Sequence, residues 1–261
     1  MQNDSESNTK HLARSPDPNS PSSNPLIRKL ESLAVLSNDD RAVLESISAG
    51  RRSVPAGTDL IREGDEPNGV YLILEGMACR YKLRAGGARQ IMAYLIPGDF
   101  CDLDVALLKE MDHAIGTLSV CEVVQIPLDT IQALLRSHPT IAHALRLATL
   151  VDEATLREWL VNVGRRSAEE RVAHLLCEML LRLQAVGRAT SGGYAFPLTH
   201  ADLADTTGLS NVHVNRSLIS LVERGLVEMS ERYVQIVDVP RLQALAGFKP
   251  NYLHLVRGVA A

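Results

Sequence analysis

The stretch Leu209-Ser210-Asn211-Val212-His213-Val214-Asn215-Arg216-Ser217-Leu218-Ile219-Ser220-Leu221 (LSNVHVNRSLISL) decides how this 261-residue chain is read. Val214, Leu218 and Leu221 recur at i, i+4 and i+7, the spacing that lays apolar side chains along one face of a helix. Val212, Asn215, Arg216 and Ile219 fall on the other side, with Asn211 and His213 at the start of the helix. The residues before it form another helix and a tight turn. Thr199 is read as an N-cap, with Asp202 three residues on; Leu203 and Ala204 belong to the helix it starts. Thr207-Gly208-Leu209-Ser210 is the turn, in which Gly208 supplies the turn conformation, Leu209 plugs the angle between the helices and Ser210 caps the second helix. Beyond it, Gly225 ends the helix, and the runs Leu226–Met229 and Tyr233–Val237 flank Ser230-Glu231-Arg232 as a short hairpin.

Polar side chains on the first turns of such a second helix have a specific chemistry. In a helix-turn-helix this element lies in the major groove and its N-terminal residues meet base edges. An Arg fits O6 and N7 of guanine and an Asn fits N6 and N7 of adenine, each in a bidentate contact. The amide end of the helix favours phosphate. The row taken alone is equally a solvated helix face; the turn before it and the hairpin wing after it favour the reading helix.

The N-terminal half has a different texture. Residues 1–24 (MQNDSESNTKHLARSPDPNSPSSN) carry too little apolar surface to fold and read as a disordered tail. Leu26, Ile27, Leu30, Leu33 and Leu36 then follow at helical spacing, and Ser37-Asn38-Asp39-Asp40 caps a second short helix over Val43, Leu44 and Ile47. From Arg52 to about Pro127, short apolar runs alternate with Gly, Pro, Asp and Asn, the pattern of an antiparallel sandwich or barrel. A short helix from Leu128 precedes His138-Pro139, and a long one runs from Ile141 to about Val163 with Ile141, Leu145, Ala148, Leu156, Trp159 and Val163 recurring at threes and fours. Asp152 and Thr155 interrupt that stripe, which is read as a dimer seam and, failing that, as a strut packed on its own domain. Ser167-Ala168-Glu169-Glu170 is a capping box opening the next helix. The expected division is thus a tail at 1–24, a β-rich sensor at 25–138, a dimerisation helix at 139–164 and a winged helix-turn-helix domain at 165–261, with a hinge at Gly164-Arg165-Arg166. The fold class is α+β.

The net charge is −4. That argues against a globally basic coat for nucleic acid and leaves a local reading surface open, because charge must be positive only where phosphates dock. No apolar run approaches the roughly 20 residues of a membrane span, and no basic start with an apolar core marks a secretory signal, so a cytoplasmic location is expected. The four cysteines, Cys79, Cys101, Cys121 and Cys177, form no CxxC pair and read as buried thiols.

On these residues the chain resembles the Crp/Fnr family of bacterial transcription regulators. The segment LTHADLADTTGLSNVHVNRSLISLVERGLVEMSERYVQI looks like that family's winged helix-turn-helix. GTDLIREGDEPNGVYLILEGMACRY and YLIPGDF resemble its cyclic-nucleotide-binding-type β-roll. The match spans residues 26 to 240 in the family's order: roll, long helix, DNA-binding domain. The resemblance implies a homodimer on a palindromic double-stranded DNA site, with RNA polymerase as a further partner. It also implies roles for individual residues. The family commonly reads its half-site with a Glu and an Arg four residues apart; here the Arg position is Arg216 and the Glu position is Val212. A valine accepts nothing from cytosine but fits a thymine methyl, so a different operator is expected. Asn211, His213 and Asn215 supply the remaining contacts, and Thr199 and Ser210 match phosphate-contacting positions.

What the roll senses is read from the same resemblance. Nucleotide-binding members follow GDF with a Glu for the ribose and, further on, an Arg for the cyclic phosphate. Here GDF leads into Cys101-Asp102-Leu103-Asp104, Leu103 takes the Glu position, and the Arg position falls near Met111-Asp112-His113. Asp102, Asp104 and Asp112 would repel a phosphate, and the sequence offers no cation nearby, so cyclic AMP is not expected. An iron–sulfur cluster needs an N-terminal cysteine group, and no cysteine precedes Cys79. Haem has axial-ligand residue types in Cys79, Cys101, His113 and His143, which form no motif. No cofactor is therefore assigned, and Cys101 and His113 stand as effector or redox candidates. Two other classes compete: a cupin-like metalloenzyme, which needs a His-x-His that the sequence lacks, and a β-roll module that works through protein contacts alone.

Overall fold

The structure, a computed structural model, describes residues 22–103 and 105–255. Two short helices open it. α1 (Pro25–Glu31) carries Pro at its first position and is capped by the Asn24 side chain, which accepts from the Leu26 amide at 3.0 Å. The expected tail thus falls outside the described residues up to position 21, and Asn24 itself is buried. α2 (Asn38–Ile47) starts at the Ser37–Asp40 capping box.

The β-roll follows as two four-stranded antiparallel sheets. One has the order β1 (Arg52–Val54), β8 (Cys121–Ile126), β3 (Val70–Glu75), β6 (Phe100–Cys101). The other runs β2 (Asp59–Ile61), β7 (Ala114–Thr117), β4 (Ala78–Leu83), β5 (Arg89–Leu95). The apolar run of β3 suits its place between β8 and β6, where nearly every side chain is buried. Gly76 makes the turn from β3 to β4 at φ +85, and a Cβ there would meet the Val120 carbonyl oxygen. Val70, Leu72, Ile73, Ile115 and Val123 fill the interior together with Leu26 and Leu30 of α1, Ile131 of α3 (Leu128–Ser137), and Ile141 and Leu145 of α4 (Pro139–Arg165).

α4 is 27 residues long, about 40 Å. Its stripe does not face one way, as the sequence reading supposed. Ile141 and Leu145 are buried under the roll and Trp159 under the next helix, α5 (Ala168–Ala185). The large apolar residues left exposed on α4 are Leu150, Leu156, Leu160 and Val161. Tertiary packing thus claims much of a pattern that periodicity alone could not divide.

The C-terminal part comprises α5, β9 (Gly193–Ala195), α6 (His200–Thr207), α7 (Asn211–Glu223), β10 (Val227–Ser230), β11 (Tyr233–Ile236) and α8 (Val239–Ala246). Its core does not stop at its own helices. Met77, Cys79, Ile91, Tyr94 and Ile96, on the outer side of the roll, pack into the same apolar cluster as Leu176, Leu203, Val214 and Leu221. An antiparallel sheet often leaves one face to water; here the α6 end of the C-terminal part covers it. The junction after α4 is also stitched. The Arg166 guanidinium donates to the Ala246 carbonyl at 3.1 Å and meets Glu158 at 2.6 Å, and its own carbonyl accepts from Arg171.

Candidate nucleic-acid interface

α6 begins at a complete capping box. The Thr199 hydroxyl accepts from the Asp202 amide at 3.1 Å, and the Asp202 carboxylate accepts from the Thr199 amide at 2.9 Å. The helix ends at Gly208, whose φ of +66 lies in the left-handed region that favours glycine. Leu209 packs against the core, and Ser210 caps α7 by accepting from the His213 amide at 3.3 Å. The turn therefore works as its residues predict.

α7 is amphipathic in the sense read from the sequence. Val214, Ser217, Leu218 and Leu221 are buried, while Asn211, Val212, His213, Asn215, Arg216 and Ile219 are exposed, Val212 at 65%. The Ser210 hydroxyl lies 2.9 Å from Nδ1 of His213 and ties that ring to the first turn. Among the described residues, Asn211, Asn215 and Arg216 make no side-chain hydrogen bond or ion pair within the chain. Their hydrogen-bonding capacity is free for an outside partner. Thr199 is exposed at the start of α6, but its hydroxyl already donates to Asp202 at 2.6 Å. The structure therefore brings together the five α7 candidates and Ser210, and sets Thr199 at the neighbouring helix start.

The wing is larger than the sequence suggested. β10 and β11 pair antiparallel across Glu231 and Arg232, and β9 adds to β11 as a third strand. β9 has three residues and no readable periodicity; its one signal is the Gly192-Gly193 pair, where a Cβ would strike Gln235 and Tyr233.

The roll holds a second site. A cavity of about 530 Å³ lies between β4, β5, the 100–113 segment and α4, lined mostly by apolar side chains such as Met92, Leu103, Leu145 and Leu156. One polar chain crosses it. Nδ1 of His113 is 2.6 Å from Asp112 and Nε2 is 2.9 Å from Asp102; Arg80 Nε lies 2.9 Å from Asp102 and its Nη2 3.5 Å from Asp152 on α4. Carboxylates only accept, so both contacts are made as hydrogen bonds when both ring nitrogens of His113 carry protons. Burial alone would lower the His113 pKa, but its hydrogen bond to Asp102 and the charges of Asp102 and Asp112 raise it. Asp102 is held below the usual carboxylate range because the His113 hydrogen bond and the Arg80 charge outweigh its burial.

This corrects one expectation. The aspartates after GDF were read as uncompensated, yet Arg80, over twenty residues away on β4, neutralises Asp102; Asp104 lies outside the described residues. Cys101, a redox candidate on its sequence, is 2% exposed in β6, and burial pushes its pKa well above the ordinary thiol value. The haem candidates are not gathered into one place: Cys79 belongs to the core under the DNA-binding part, Cys101 to the roll interior, and His143 is exposed on α4. Among the described residues no group of three or more His, Cys, Asp or Glu side chains could hold a metal ion. None of their helices is long and apolar enough to cross a membrane.

An antiparallel roll, a long connecting helix and a winged helix-turn-helix with an unpartnered polar face define a DNA-binding transcription regulator of two-part build. The comparisons with known proteins specify which. A family model described as a Crp-like helix-turn-helix domain matches residues 170–245, and one described as a cyclic nucleotide-binding domain matches residues 51–138. The chain is 30% identical over 216 residues to the nitrogen fixation regulation protein FixK of Bradyrhizobium diazoefficiens, covering 82% of this chain and 90% of that one. It is 31% identical over 196 residues to the transcriptional activatory protein AadR of Rhodopseudomonas palustris, covering 72% and 77%. The solved structure of FixK2 from Bradyrhizobium japonicum superposes with a TM-score of 0.67 at 26% identity, over 75% of this chain and 96% of that one. The chain belongs to the Crp/Fnr family of transcription regulators.

Proposed function

We propose that this regulator acts as a homodimer joined along α4, reading a palindromic operator with two copies of α7, in a roll that no longer takes cyclic nucleotide. The observation that carries the reading is the exposed row Asn211, Val212, His213, Asn215 and Arg216 on a helix whose other face is buried. Arg216 reads guanine, Val212 touches a thymine methyl, and Asn211, His213 and Asn215 complete the half-site or meet phosphate. Ser210 and Thr199, at the two helix starts, lie beside the backbone. Leu150, Leu156, Leu160 and Val161 supply the exposed apolar patch for the partner's α4. Two α7 helices then sit about 34 Å apart, one turn of DNA.

Against cyclic nucleotide stands the chemistry of the cavity. Its two deep guanidinium groups are both engaged, Arg80 by Asp102 and Asp152 and Arg182 by Asp99 and Glu178, and a phosphate would have to displace these carboxylates. Signal entering the roll reaches α4 through contacts of this kind and shifts the pair of DNA-binding domains between two arrangements. The domain division at 138/139 and 164/165, a cytoplasmic location, RNA polymerase as partner and a regulatory rather than catalytic role complete the reading. Selection of bound sequences from random DNA tests it: a two-fold symmetric site is expected, and an asymmetric or absent consensus overturns it. Titration calorimetry with cyclic AMP is expected to give no saturable heat; tight binding would refute the reading of the roll.

A further inference from the structure

The face that joins the two parts of the chain carries polar chemistry that the reading above does not use. Arg89 projects from β5 onto α6: its Nη2 lies 2.5 Å from Oδ1 of Asp202 and its Nε 2.7 Å from Asp205. Asp202 is also the capping carboxylate of α6, with its other oxygen taken by Thr199. The contact continues along β5 on either side of the fully buried Ile91. Tyr94, wholly buried, sets its hydroxyl 2.5 Å from the hydroxyl of Thr206, and Gln90 donates to the Thr206 carbonyl at 3.4 Å. Both ends of α6 are thereby tied to one strand of the roll, across more than a hundred residues of sequence. The contact touches none of the exposed α7 side chains.

We infer that Arg89 is a positioning residue for DNA recognition: by clamping α6 to β5, it sets the angle at which the chain presents α7 and so the operator spacing that a dimer accepts. The inference rests on the homodimeric reading of a palindrome. The helix-turn-helix moves as a unit, because α6 and α7 share the core of Leu203, Val214 and Leu221. A unit held only by apolar contact can slide, since such contact has no direction; two charged hydrogen bonds and a buried hydroxyl pair fix a register. An operator with one inserted base pair rotates its second half-site by about 35° and moves it about 3.4 Å, so a fixed register rejects it and a loosened one tolerates it.

The test uses the full chain in two measurements. Spin labels at Glu66→Cys on the roll and Glu231→Cys on the wing report the distance between the parts without DNA; the four native cysteines are buried. A narrow distribution is expected, broadened by Arg89→Gln and by the near-isosteric Tyr94→Phe and kept narrow by Arg89→Lys. Binding to the selected operator and to versions with one base pair added or removed gives the second readout. The unsubstituted protein is expected to lose about tenfold on the altered spacings, and Arg89→Gln about threefold or less, with Arg89→Lys restoring discrimination. An unchanged distance distribution, or unchanged spacing discrimination, in both Arg89→Gln and Tyr94→Phe overturns the inference. Broadening of the distribution with an unsubstituted protein that ignores spacing leaves the clamp standing and refutes the palindrome reading instead.

Discussion

Replacing Arg216 with alanine is the sharpest test of the reading helix, because the structure separates its consequences. Arg216 is exposed and its side chain makes no hydrogen bond or ion pair with the other described residues, so its loss removes no polar side-chain contact seen among them. A bidentate arginine–guanine contact is worth about 1–3 kcal/mol of discrimination. A dimer makes it twice, so Arg216→Ala is expected to weaken operator binding by about 2–6 kcal/mol, roughly 30-fold to 10⁴-fold. Binding to random DNA, which reads no bases, should change far less. Salt separates the alternatives further. An arginine on a phosphate contributes about 0.9 to the slope of log K against log salt, so a dimer that lost two such contacts would show a slope shallower by about 1.8. Fluorescence anisotropy on operator and random duplexes at several salt concentrations measures both quantities. An operator-specific loss with an unchanged slope is the expected result. An equal loss on both DNAs, with a shallower slope, would refute the base contact and make Arg216 a phosphate ligand.

Three other outcomes follow from the same structure. Val212→Glu places an acceptor at an exposed position one turn before Arg216, and sequence selection should then shift that base toward cytosine; an unchanged consensus would remove Val212 from the interface. Leu160, 75% exposed on α4, is expected to be covered in the dimer, so Leu160→Glu should give a folded monomer by light scattering at micromolar concentration, and a persistent dimer would place the seam elsewhere. For pH, the His113 pKa is raised in the folded chain, so its contribution to stability is complete below about 6.5 and fades as pH rises through the folded value. His174, buried beside Phe248 and Tyr252, is pushed down to about 4 by burial and by Arg166, so the unfolded chain takes up its proton first and stability falls as pH drops from about 6.5 toward 4. Thermal unfolding should therefore show a declining limb above pH 6.5 that His113→Gln flattens; a limb untouched by that change would mean that another group sets it.

What could be read from the sequence was local. The capping boxes at Ser37, Ser167 and Thr199 each close within three residues, so residue type and spacing specify them without knowledge of the fold. The turn at Gly208 and the buried stripe of α7 are local in the same sense. What escaped needed register across the fold. Arg80 meets Asp102 and Asp152 only because β4 and α4 face one another, with 72 residues separating Arg80 from Asp152. Asp152 was visible as a flaw in the helical stripe, but its cause was not. Arg89 finds Asp202 across 113 residues. A charged residue in a strand looks solvated until a second domain covers that face.

The same pairings explain how an acidic chain presents a DNA-reading face. A net charge of −4 describes the whole surface, whereas phosphates respond to the field where they dock. Around the two motif helices several carboxylates are already met. Asp202 and Asp205 are held by Arg89, and Glu169, at the start of α5, takes Arg224 at 2.9 Å and the Ser220 hydroxyl at 2.9 Å. Arg216 has no such partner, and the N-terminal amides of α7 add their partial positive charge beside it. At the reading helix itself, Arg216 is thus a cation that no carboxylate among the described residues cancels, whatever the sign of the chain as a whole. Arg89 then acts twice, by fixing the register of α6 and by cancelling carboxylates close to the DNA.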